Sequence, residues 1–140
     1  MQAMIVALQM CSGLCADGNM NQLRQQLTTL PAIRPLLVCL PESFLVFANS
    51  GHETLVVAKQ SDVYQQQLSE LCRQHDIWLA AGTVPIATEH DKYFAASLLF
   101  NEQGEVLAQY NKMHLFDVDV ADGTGAYRES NFTEAGSDIV

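Results

Sequence analysis

The chain has 140 residues, 49% of them hydrophobic, which is one domain's worth of length with enough apolar material for a core. Seven basic residues face sixteen acidic ones, a formal charge of −9, and the stretch after His114 carries six acidic residues against Arg128 alone. That field repels phosphate backbones and anionic bilayers, so nucleic acid and membrane surfaces are not expected partners.

The N-terminus "MQAMIVALQMCSGLC" has no basic residue ahead of its short apolar run, so it reads as a first strand and not as a secretory signal. No apolar stretch approaches the length of a membrane span. "MIVALQM" (4–10) has strand-like composition without helical spacing and suits a strand buried on both faces. After a loop bearing glycine and asparagine, Met20, Leu23, Leu27 and Leu30 fall at helical spacing from Asn19, and Pro31 closes the helix. "PLLVCL" (35–40) is apolar throughout, as in a central parallel strand, and ends at Pro41-Glu42. Tyr64, Leu68, Leu71, Cys72 and His75 define a second helix over 61–75, with Ser61 or Asp62 as its N-cap. "IWLAAGTVPI" reads as a third strand stopped by Pro85. "YFAASLLF" and "EVLAQYN", separated by the polar turn "NEQG", pair as an antiparallel hairpin. From Asp117 onward the acidic, glycine-bearing sequence reads as a long surface loop with at most a short helix or strand. The order is that of an α/β fold with a largely parallel core.

The four cysteines, Cys11, Cys15, Cys39 and Cys72, form no C-x-x-C pair, and reduced thiols in a cytoplasmic protein are the economical reading. "NFT" (131–133) matches a glycosylation acceptor but, without an export signal, reads as a chance match. "DVDVADG" (117–123) fails the register of a calcium loop, with Ala121 and Asp122 at its fifth and sixth positions. His52, His75, His90 and His114 show no metal-ligand spacing, although His114 and Asp117 at i and i+3 could share a site. "CSGLCADGN" lacks the glycine pattern of a nucleotide loop. Neither metal nor cofactor is expected.

Two charged residues follow strand-like runs, where open α/β sheets bind their ligands: Glu42 after "PLLVCLP" and Lys112 after "EVLAQYN". A carboxylate at the mouth of an apolar core resists ionisation unless a cation lies nearby, and Lys112 is a candidate cation. Such a pair suits general acid/base chemistry or stabilisation of an oxyanion, although a charge after a strand is more often a solvated end.

"CLPESF" (39–44), "AAGTVPI" (80–86), the hairpin leading into "YNKMHLFDVDV" (110–120) and "YRESNFTEAG" (127–136) together resemble the nitrilase superfamily of carbon–nitrogen hydrolases. The likeness spans the chain and is greatest to the Nit branch, which includes deaminated-glutathione amidase and ω-amidase. It implies the first half of a four-layer α-β-β-α sandwich, and a catalytic set in which Glu42 is the general base, Lys112 stabilises the tetrahedral intermediate and Glu129 is the supporting second glutamate. It further implies a small amide substrate and a homodimeric complete protein. The family's nucleophile is a cysteine in a Cys-Tyr-Asp element a few tens of residues after the lysine, and none of the four cysteines has that context. Residues 1–140 are thus expected to be the N-terminal portion of the hydrolase domain, ending ahead of the nucleophile at Val140. Loss of a nucleophile costs on the order of 10⁶ in rate, so the chain alone is expected to be inactive. A further departure is Phe94, where many relatives have asparagine. The alternatives are an ω-amidase, or a scaffold or interaction module that kept the fold without the chemistry.

Overall fold

The computed structural model of the protein describes residues 3–119 and 126–140. Five strands lie side by side in chain order: β1 (Met4–Ala7), β2 (Leu36–Cys39), β3 (Trp78–Ala87), β4 (Tyr93–Phe100) and β5 (Val106–Asn111). Strands β1 to β3 run parallel through helical crossovers, whereas β3 to β5 are antiparallel. The expected largely parallel core is corrected to a mixed sheet. The link from Ala87 to Tyr93 is too short for a crossover and can only close a hairpin.

The register decides which side chains meet the helices. Val38, Leu79 and Phe100 lie abreast on the inner face, where α1 (Ala16–Leu27) and α3 (Ser61–His75) cover them with Met20, Leu23, Leu27, Leu68 and Leu71. The alternate residues face the other way. Ile5 is 72% exposed, and Leu37, Cys39, Trp78 and Ala80 are only half-buried. The expectation that the first strands are buried on both faces is therefore corrected: their apolar sequences suit two covered faces, and among the described residues helices cover one. Leu68 is fully buried, so Leu68→Ala is expected to lower stability by about 2–5 kcal/mol in a denaturant titration.

Several element ends differ from the sequence reading. Helix α1 begins at Ala16, one turn before Asn19, and stops at Leu27, before Pro31. Helix α3 has the expected span, but its N-cap is Gln60 and not Ser61 or Asp62, and Asp76 ends it in the left-handed conformation. Pro85 does not stop β3. Pairing with β2 ends at Ala80, so beyond it one edge of β3 is open and a missing N–H there breaks no ladder bond.

Helix α2 (Gly51–Ala58) has no counterpart in the sequence reading. Its start is set by Ser50, whose Oγ accepts from Glu53 N, while the Glu53 carboxylate accepts from Asn49 N at 2.9 Å. This is a capping box whose return bond falls one residue early, so the Ser50–Glu53 spacing was an available signal. After β5, β6 (Asp117–Asp119) pairs with β7 (Ala126–Arg128), followed by a 3₁₀ turn at Glu129–Asn131. The rest of the rejected calcium-loop stretch, 120–123, lies outside the described residues.

Candidate active site

Glu42 enters the site from the end of β2. Leu40 N still pairs with Ala80 O at 2.9 Å, and the chain then turns at Glu42 and Ser43, the latter at φ 55. Gly82 makes this approach possible, because a Cβ there would run into the carbonyls of Leu40 and Pro41. Lys112 is placed by the hairpin: its N–H bonds Ala95 O at 3.0 Å, extending the ladder past β5, and its carbonyl accepts from Gly136 N at 2.9 Å. Glu129 follows β7 and its N–H donates to Phe116 O at 3.2 Å.

The three side chains converge, but unequally. Lys112 Nζ donates to both oxygens of Glu129, at 2.9 and 3.1 Å, and Glu129 Oε2 also accepts from Phe116 N at 2.6 Å. Glu42 Oε1 stands 4.0 Å from the ammonium, with its side chain 77% exposed against 15% for Glu129. The expected Glu42–Lys112 pair is present as a loose contact, while Glu129 is the close partner and Glu42 stands open to the cleft. Burial alone would lower the Lys112 pKa, but the hydrogen bond and charge of Glu129, then Glu42 and Tyr127, outweigh it and hold the ammonium above the ordinary lysine value.

These residues line one open cleft of about 930 Å³ between the β2–α2 loop and the β6–β7 hairpin. Its walls include Phe47, Phe116 and Tyr127, the last two in ring contact at 5.7 Å, and Phe132, whose ring packs where a side chain on Gly51 would stand. None of these aromatics was singled out from the sequence; the available signal was nearness along the chain, of Phe47 to Glu42 and of Phe116, Tyr127 and Phe132 to Lys112 or Glu129. The lysine can hold negative charge on a bound carbonyl oxygen, and the free carboxylate of Glu42 can take or return a proton.

Other sequence candidates fall elsewhere. None of the four cysteines lines the cleft: Cys11 and Cys15 are exposed, Cys39 is half-buried in β2, and Cys72 is in the core, where burial pushes its thiol up to about 12. His114 is exposed, and Asp117 is engaged by Ser130, which donates through its N–H at 3.0 Å and its Oγ at 2.6 Å. Those bonds hold the Asp117 carboxyl below the usual carboxylate range. Among the described residues, no three His, Cys, Asp or Glu side chains gather as a metal site would need. Nor is any described helix long and apolar enough to cross a membrane. Phe94 pairs with Ile86 in the sheet, away from the cleft lining.

Residues 8–140 match the family model described as carbon–nitrogen hydrolase. The chain is 36% identical over 140 residues to the deaminated glutathione amidase of Yersinia enterocolitica, covering 98% of this chain and 49% of that protein. It is 33% identical over 148 residues to the ω-amidase of Saccharomyces cerevisiae, covering 96% and 49% respectively. The chain thus spans about half the length of these relatives. Among solved structures, the nitrilase and fragile histidine triad fusion protein of Caenorhabditis elegans superposes with a TM-score of 0.81 at 28% identity, over 97% of this chain and 34% of that one. The sheet with helices on one face is half of that fold's α-β-β-α sandwich, and the chain belongs to the carbon–nitrogen hydrolase family, within the nitrilase superfamily.

Proposed function

We propose that this chain is the N-terminal portion of a cysteine-dependent amidase, which releases ammonia from small amides of the deaminated-glutathione type. The observation that carries the proposal is the fixed ammonium of Lys112, clamped by Glu129 at the wall of a cleft that Glu42 also lines. In this mechanism Glu42 takes the proton of a cysteine thiol, and the thiolate attacks the amide carbon. Lys112 holds the resulting oxyanion, the C–N bond breaks, and Glu42 returns the proton to the departing ammonia. Water, deprotonated by Glu42, then cleaves the thioester to the carboxylic acid and restores the thiol. Glu129 serves as a positioning residue for Lys112.

That no cysteine of this chain lines the cleft supports a nucleophile supplied from outside these 140 residues, and on this reading the isolated chain is expected to release no ammonia. The complete protein is expected to release it from deaminated glutathione faster than from α-ketoglutaramate, and to be blocked by iodoacetamide. Replacing Cys11, Cys15 and Cys39 together by serine should leave both the turnover and the iodoacetamide sensitivity in place. Loss of turnover in that variant, with its fold retained, would move the nucleophile back into this chain.

The comparably high identity to an ω-amidase favours α-ketoglutaramate as the second reading, which the same assay decides by the opposite preference. A non-catalytic scaffold is the outcome if neither amide is turned over.

A further inference from the structure

Glu42 accepts no hydrogen bond among the described residues, and its one ion-pair partner among them is the ammonium of Lys112, at 4.0 Å. Its placement is therefore a property of its backbone. On one side that backbone is set by Leu40 N bonding Ala80 O and by the approach over Gly82. On the other side the chain reverses at Ser43 and buries Phe44 and Leu45 completely.

What holds this second side is a side chain on a different element. Asn19, on the first helix, is 5% exposed and uses its whole amide: Nδ2 donates to Leu45 O and to Gly13 O, and Oδ1 accepts from Gly13 N, each at 2.9 Å. Ser12 Oγ donates to Phe44 O at 3.2 Å and Phe47 N to Gly13 O at 3.1 Å, so the 12–13 and 44–47 segments are laced together around it. A buried amide with every bond directed at backbone fixes the loops it joins, since each bond lost leaves an unpaired group in the interior.

We infer that Asn19 is a positioning residue for Glu42, holding the loop that carries the base in place at the cleft beside Lys112, where it exchanges protons with the nucleophile and the leaving group. This rests on the reading of Glu42 as the base. Asparagine is fitted to the task because it alone of the small side chains offers both two donors and an acceptor in one plane. Aspartate there would face the carbonyls of Gly13 and Leu45 with no donor.

The test is a double-mutant cycle in the complete protein, with ammonia release as the readout. Asn19→Ala is expected to lower kcat by on the order of 10- to 100-fold, the scale for a group displaced by about 1 Å, with KM nearly unchanged. In a Glu42→Gln background, where the base is already gone, the same substitution should cost almost nothing further. Leu68→Ala serves as the control for lost stability alone and should leave kcat unchanged well below its unfolding temperature. Should Asn19→Ala fail to fold, Ser12→Ala removes the hook on Phe44 from a half-buried position and carries the same cycle with a smaller factor. An equal fall in kcat in both backgrounds, or no fall in either, overturns the inference while leaving the proposed function standing. Normal turnover by Glu42→Gln itself overturns the function reading, and the inference with it.

Discussion

Lys112→Ala in the complete protein is expected to lower kcat for amide hydrolysis by at least about 10²–10³, the range for removing one donor to a developing oxyanion. The loss should fall on kcat and kcat/KM together, because the ammonium is worth most when the carbonyl oxygen carries full charge. The fold should persist. Glu129 keeps its bond from Phe116 N, and the Lys112 backbone keeps its bonds to Ala95 and Gly136 whatever side chain stands there. A circular-dichroism spectrum and melting curve on the same sample separate this outcome from unfolding. Ammonia release at the native rate would remove Lys112 from the mechanism.

Glu129→Gln tests the other half of the clamp and should damage both activity and stability. The amide oxygen can still accept from both Lys112 and Phe116 N, as Oε2 does, but the second bond from Lys112 is lost and no charge remains to hold the ammonium in place. Hydrogen bonds to charged groups contribute about 1.5–3 kcal/mol each, so a loss of that order is expected in denaturant at neutral pH. Turnover should fall with it as Lys112 swings free. The pH dependence gives an independent check. The folded pKa of Lys112 is raised above the 10.5 of the free side chain, so the clamp's contribution is fully present below that value and is lost as the pH rises through the folded pKa. The gap in stability between the native protein and Glu129→Gln should therefore be constant from neutral pH to about 10 and close above it. A gap that stays open in strong alkali would mean that Glu129 stabilises the fold by some route other than Lys112.

The parts of this molecule legible in the sequence were those with a strong local signal. The helix over 61–75 and the hairpin around "NEQG" follow from apolar spacing and turn residues alone, and both stand where expected. Glu42 and Lys112 were marked by a charge set against an apolar run. Helix α2 escaped because its apolar residues, Leu55, Val56 and Val57, sit side by side with no helical spacing, and only the Ser50–Glu53 cap announces it. Pro85 misled because a proline stops a central strand but not an open edge, and which edge is open depends on where the neighbouring strand ends.

By itself the sequence determined the element types, the charged residues at strand ends, and, through the order of its motifs, the family. Only the tertiary structure decided that Lys112 is held by Glu129 while Glu42 stands open, and that a helix residue, Asn19, ties down the loop beside Glu42. The physical reason is range: periodicity and capping act within a turn or two of chain. The distance between Lys112 and Glu42 is instead set by how β2, β5 and the segment after β7 pack, and by the register that joins them.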